Sequence, residues 1–362
     1  MRLEIAVLEG DGIGPEVMAP TLALLETLAP EAGVEFAFRA LPAGAGCYRD
    51  TGEALPEASL DAARAADAIL LSAMGLPDVR YPDGTEISPQ IALRMAFGLF
   101  AGVRPVRTIP GAPGPLAGAP ALDFVIIRES TEGLFASHGR GVVEADRARE
   151  TLEITRATSE KLFDAGFAMA RRRRELGRGR GLVHCVDKAN VFKAFAFFRA
   201  IFRERAALNP DVAAETAYVD ATALWMVQRP AMFDVIVTEN MFGDILSDLG
   251  AGLMGGLGVA PSADIGEAQA VFQPCHGSAP DIAGKGVANP CAMILSAAMM
   301  LDWLGERRGH AGLCAAAARL ERAVDAALAD PAARTADLGG RATTAQAAAA
   351  VAAALTAQPA GG

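Results

Sequence analysis

The sequence predicts an α/β protein with a largely parallel sheet, divided into two domains. Short apolar or β-branched runs alternate with longer segments of helical period, which is the pattern of repeated strand and helix units. A length of 362 residues is long for one domain and suits two. With 52% hydrophobic and 21% charged residues, the chain is globular and has a large core.

In chain order, strands are expected at 5–8, 34–39, 68–73, 124–127, 182–186, 217–219 and 235–237, each a short apolar or β-branched run. Helices are expected at 15–28, 91–97, 151–173, 191–205, 243–253 and 290–304. The segment 292–301 is apolar but too short to span a bilayer, which needs about 18 such residues, and reads as a buried helix. Residues 110–120 are rich in Gly and Pro and are read as an exposed loop near a domain junction. The Ala-rich region 311–357 reads as packed helices, followed by a frayed tail at 358–362. The basic run Arg171 to Arg174, with Arg178 and Arg180, reads as the solvated end of a long helix, where positive charge complements the dipole.

Composition excludes several functions. A net charge of −10 argues against nucleic acid as a partner, since phosphate binding needs a basic face. Five cysteines, widely spaced and without a Cys-x-x-Cys pair, suggest reduced thiols rather than a zinc or disulfide framework. The amino terminus begins as a strand and has no signal-peptide pattern, so a cytoplasmic protein without membrane association is expected.

Four groups of residues carry candidate chemistry, mostly at strand ends, where ligands of α/β sheets collect. On a helix, Asp244 and Asp248 of NMFGDILSD lie one turn apart and repel. A divalent cation such as Mg²⁺ or Mn²⁺ would remove that repulsion; a solvated acidic face is the plainer reading. Lys188, in VDKAN, either snorkels to solvent or acts as a general base beside a metal-bound hydroxyl. Asp220, in YVDA, could add a third metal carboxylate. Arg94, Arg104 and Arg128 could grip the carboxylates of a di- or tricarboxylic acid, or could form surface salt bridges. The fourth group, residues 274–290, is a glycine-dense loop leading into a helix, open to a nucleotide or simply a surface loop. The stretch GDGIGPE after the first strand lacks the Gly-x-Gly-x-x-Gly spacing, so a classical Rossmann fold is rejected.

In register, GDGIGPE, GVRPVR, IIRES, VDKAN, YVDA, NMFGDILSD and HGSAPDIAGKGVANP run from Gly10 to Pro290. Together they resemble the β-decarboxylating dehydrogenase family, which includes isopropylmalate, isocitrate, homoisocitrate, tartrate and D-malate dehydrogenases. The resemblance implies a two-domain fold around a large mixed sheet. Residues 1–100 with 255–362 would form a cofactor-binding domain, and 101–254 a substrate, metal and dimerisation domain. It also implies a homodimer with a shared active site, in which Lys188 and Asp220 act as catalytic residues across the interface. Asp220, Asp244 and Asp248 would hold Mg²⁺ or Mn²⁺, and Arg94, Arg104 and Arg128 would bind the substrate carboxylates. His276, Gly277, Ser278, Ala279, Asp281, Ile282 and Asn289 map onto the cofactor loop. An acid at Asp281, followed by Ile282, resembles the NAD-using members, because it would accept bonds from ribose hydroxyls and repel a 2′-phosphate.

The implied reaction is oxidation and decarboxylation of a 3-substituted malate, isopropylmalate-like on overall similarity. Isocitrate, homoisocitrate, tartrate and D-malate are alternatives, since Ser88 and Gln90 stand where isopropylmalate enzymes carry apolar side chains. One departure touches the mechanism: the family's proton-donating tyrosine is replaced by Phe135. Ser137, His138, Lys188 or water could substitute, or the chain could be a non-catalytic regulatory subunit.

Overall fold

The structure is a computed structural model that describes every residue except Pro113, Ala119 and 358–362. The strands are β1 (Arg2–Leu8), β2 (Glu35–Ala40), β3 (Ala68–Leu71), β4 (Ala101–Arg107), β5 (Asp123–Glu129), β6 (Val142–Val143), β7 (Ala148–Arg149), β8 (Leu182–Asp187), β9 (Ala213–Tyr218), β10 (Val235–Thr238), β11 (Pro261–Ile265) and β12 (Ala270–Pro274). The helices are α1 (Gly14–Ala32), α2 (Ala45–Thr51), α3 (Glu57–Ala65), α4 (Pro89–Phe97), α5 (Arg156–Glu175), α6 (Lys193–Ala207), α7 (Val219–Gln228), α8 (Asn240–Met254), α9 (Cys291–Arg308), α10 (Ala311–Ala329) and α11 (Thr344–Ala357).

Ten strands form one sheet in the order β2-β1-β3-β12-β11-β4-β5-β10-β8-β9, and β6 with β7 makes a separate hairpin. Both flanks are parallel, but β12-β11-β4-β5 is an antiparallel centre, so the sheet is mixed. Strands from the two ends of the chain, β1 to β3 and β11 to β12, lie side by side. The middle of the chain fills the other flank. Pro105 is tolerated within β4 because β11 pairs only with Ala101 to Val103, so its missing N–H falls beyond that pairing.

Helix α9 carries the segment 292–301 and packs on β11 and β12, with Ala292, Met293, Ile294 and Leu301 fully buried. Helix α8 packs on β4 and β5 unusually closely. A Cβ at Gly243 would lie 2.2 Å from Arg128 Cβ, so glycine there lets the acidic helix meet the arginine strand.

Several boundaries differ from expectation. Helix α5 begins at Arg156 rather than 151, because Thr155 caps it and Glu153 exchanges backbone bonds with Gly133. Val219 opens α7 instead of ending a strand, which puts Asp220 in the first turn of a helix. The basic run is only partly solvated. Arg173 is buried and bonds Asp234 at 2.8 Å, because that carboxylate must also be met by the backbone N–H groups of Arg180 and Gly181. The described residues of 110–120 lie between β4 and β5 outside any helix or strand, and the expected frayed tail lies outside the described residues. Among the described residues, no helix is long and apolar enough to cross a membrane.

Candidate active site

A cleft of about 260 Å³ opens where α4, β4, β5, α8 and the segment after β12 converge. Its lining includes Arg94, Arg104, Arg128, Asp244, Asp248 and His276. The three arginines are 9%, 6% and 4% exposed, which removes the surface salt-bridge reading. Buried guanidinium groups need partners. Arg128 bonds Asp244 through Nη1 and Asn240 Oδ1 through Nη2 at 2.9 Å. Asn240 in turn donates to Glu129 at 3.3 Å, and Glu129 also accepts from the backbone of Thr131 and Glu132. This chain of bonds fixes Arg128 at the end of β5.

Arg94 Nε donates to Asp264 Oδ2 at 3.0 Å, and Arg104 Nη2 lies 3.5 Å from Asp264 Oδ1. Burial would raise the Asp264 carboxyl, but Arg94, Arg104 and Arg128 outweigh it and hold its pKa below the ordinary value. Sequence reasoning misses Asp264. Its signal is an acid inside the otherwise uncharged run Pro261 to Ile265.

Asp244 and Asp248 share one face of α8. Burial and the charge of Asp244 raise the Asp248 carboxyl, with Arg104 and Arg128 opposing. A divalent cation between the two would relieve that repulsion, so the donor set fits a hard metal. Lys188 and Asp220 are absent from the cleft lining. They pair with each other, Nζ to Oδ1 at 2.6 Å, with the Asp220 side chain 66% exposed, and the bond from Lys188 lowers the Asp220 carboxyl pKa. Among the described residues of this single chain, no cluster of three metal-ligating side chains forms.

The cofactor candidates follow β12. The backbone carbonyl of Ser278 accepts from Ile13 N at 2.9 Å, which ties this segment to the GDGIG turn. Glycine is required at position 12, where φ is +59° and a Cβ would lie 2.0 Å from Ser278 O. Gly277 and Asp281 are exposed, Ala279 and Ile282 are half-buried, and Ala279 has a positive φ of 38°. His276 Nε2 is buried and has no hydrogen-bond partner among the described residues. Burial holds the His276 imidazole below its usual pKa. Asn289 is engaged internally, donating to Asp337 at 3.0 Å and accepting from Cys291 N at 3.0 Å.

Gln90 and Ile91 line the cleft, whereas Ser88 does not. Phe135 lines it too, so no phenolic hydroxyl is available there. Ser137 is buried away from the cleft lining and donates to Glu150 at 2.7 Å, while His138 is exposed.

A mixed α/β sheet whose cleft sets buried arginines against paired carboxylates defines an enzyme site for an anionic, metal-chelating small molecule. The sequence profile described as isocitrate/isopropylmalate dehydrogenase matches residues 4–353. The chain is 42% identical over 351 residues to 3-isopropylmalate dehydrogenase of Methanothermobacter thermautotrophicus, covering 97% of this chain and 98% of that one. It is 41% identical over 346 residues to 3-isopropylmalate/3-methylmalate dehydrogenase of Methanocaldococcus jannaschii, covering 94% and 95%. The crystal structure of isocitrate dehydrogenase from Methylococcus capsulatus superposes with a TM-score of 0.85 at 38% identity, covering 98% of this chain and 99% of that one. The protein belongs to the isocitrate/isopropylmalate dehydrogenase family. Members of this family are decarboxylating dehydrogenases of hydroxy carboxylic acids, for which NAD and a divalent metal are typical.

Proposed function

We propose that this chain catalyses NAD-linked oxidative decarboxylation of a 3-substituted malate, of the 3-isopropylmalate type. The observation that carries the reading is the convergence of Arg94, Arg104 and Arg128 with Asp244 and Asp248 on one cleft. When bound, NAD would supply the hydride acceptor, and Mg²⁺ or Mn²⁺, which Asp244 and Asp248 would hold, would supply electrostatic stabilisation of developing negative charge.

The chain's own residues divide the remaining work. Arg94 keeps its two terminal nitrogens for a substrate carboxylate, since Asp264 takes only the Nε edge. Arg128 bonds Asp244 and thereby links the anion-binding wall to the metal-binding helix. Lys188 and Asp220, bonded at 2.6 Å, would together assist removal of the hydroxyl proton, the carboxylate supplying the acceptor when Lys188 is an ammonium. With Phe135 unable to donate and Ser137 held by Glu150, the closing protonation falls to His138, Lys188 or water.

The reading needs a second subunit. Lys188 and Asp220 would reach the Asp244 and Asp248 of a partner, completing a metal site that one chain leaves at two carboxylates. Exposed apolar side chains around these groups support a homodimer: Val191 and Phe192 beside Lys188, Leu224 and Val227 on α7, and Met241 and Ile245 on α8. The orphan His276 Nε2 and the exposed Asp281 support a nucleotide on the loop after β12, with Asp281 favouring NAD over NADP. The sheet order supports division into 1–100 with 255–362 and 101–254. Five free cysteines suit the cytoplasm.

The test is NADH formation by the purified protein on a panel of 3-isopropylmalate, isocitrate, homoisocitrate, tartrate and D-malate. Activity on at least one acid, abolished by EDTA and restored by Mg²⁺ or Mn²⁺, is expected. Silence across the panel would favour a regulatory subunit.

A further inference from the structure

Asp264 has no role in the chemistry above, yet it stands directly behind the arginines. Its side chain is 1% exposed. Oδ2 accepts from Arg94 Nε at 3.0 Å and Gln273 Nε2 at 2.8 Å, while Oδ1 faces Arg104 Nη2 at 3.5 Å and Ser130 Oγ at 3.4 Å. Three guanidinium groups are therefore opposed by three carboxylates, those of Asp244, Asp248 and Asp264. The Lys188 and Asp220 pair is itself neutral. Without Asp264 the three guanidinium groups would face only Asp244 and Asp248, leaving one positive charge in excess among these cleft groups.

We propose that Asp264, acting through Arg94 and Arg104, sets the charge of the substrate: the site accepts malates whose C3 substituent is uncharged and discriminates against tricarboxylates. The inference rests on the functional reading above and narrows it. A dicarboxylate brings two negative charges, which match the divalent cation that Asp244 and Asp248 would hold. A third carboxylate finds no counter-charge, and it approaches arginines whose field Asp264 already cancels in part. Charge opposition of this kind discriminates by repulsion rather than by added attraction.

The experiment compares 3-isopropylmalate with isocitrate, using the full-length wild type, Asp264→Asn and Asp264→Ser. The Asn variant keeps an acceptor for Arg94 and Gln273; the Ser variant covers the case in which Asn fails to fold. In the wild type, kcat/KM should favour 3-isopropylmalate by at least ~100-fold, and either variant should narrow that ratio by roughly 10-fold or more, chiefly through KM for isocitrate. A thermal-shift measurement with Mg²⁺ and no NAD gives a second readout, in which isocitrate should stabilise a variant more than the wild type. A wild type that uses isocitrate as well as 3-isopropylmalate overturns the inference and leaves the functional reading intact, as does an unchanged ratio in both variants. A wild type neither active on nor stabilised by any acid of the panel overturns both.

Discussion

Replacing Arg199 by Met should destabilise the protein and disable Lys188 together. Asp187, the neighbour of Lys188, is 0% exposed and is met by Arg199 in a fork, Nε to Oδ2 at 2.8 Å and Nη2 to Oδ1 at 2.7 Å. Its remaining partners are the backbone N–H of Ala189 at 2.7 Å and the Cys185 thiol at 3.6 Å. Removing the guanidinium leaves a buried carboxylate nearly uncompensated, which costs about 3–5 kcal/mol. The same guanidinium lies 4.8 Å over the Tyr218 ring, two residues before Asp220, so it braces both strand ends that lead to Lys188 and Asp220, the pair proposed for proton transfer. A displacement of about 1 Å at such a pair can cost ~100-fold in rate. Urea unfolding followed by circular dichroism reads the first effect and steady-state kcat the second. Adding Asp187→Asn to Arg199→Met should recover about half of the lost stability, since the buried charge is then gone. A single variant less than about 1 kcal/mol from the wild type would refute the clamp, because that is the range of an exposed ion pair.

Three further outcomes follow from the geometry. Lys188→Met should lower kcat by roughly 10² to 10⁴ with little change in sedimentation behaviour, as expected for a lost acid–base group. Gly12→Ala should weaken NAD binding and cost about 1–3 kcal/mol, because its φ of +59° and the Ser278 carbonyl both oppose a side chain; calorimetric NAD titration and thermal melting check this. His184 is buried on β8, and burial lowers its pKa below the ordinary 6.5 despite Glu215 nearby. Between the lowered folded value and 6.5 the unfolded chain binds more protons, so stability present above pH 6.5 is lost as pH falls through that window; His184→Asn should flatten the melting profile there.

Much of this arrangement is legible in the sequence. The parallel flanks announce themselves as uninterrupted apolar runs, such as Ala68 to Leu71 and Val235 to Val237, because both faces are covered. The antiparallel centre does not. Strands β4, β11 and β12 contain Arg104, Pro105, Asp264 and Gln273, so their polar residues break the pattern that marks a strand. Site residues thus conceal the elements that carry them. That Asp244 and Asp248 share one helix face is readable from helical spacing, but the spacing alone leaves a solvated acidic face as the plainer reading. By contrast, the bond of Arg128 to Asp244, the support of Arg94 by Asp264 and the clamp of Asp187 by Arg199 join residues that only the fold brings together.

The central claim is oxidation coupled to loss of carbon dioxide, and Phe135 is the residue that most directly challenges it. The decisive measurement is the ratio of carbon dioxide to NADH released by the Mg²⁺-loaded enzyme on 3-isopropylmalate labelled in the carboxylate to be lost. Equimolar release is predicted. NADH formed without carbon dioxide would contradict the account and leave a simple hydroxy-acid oxidation in its place.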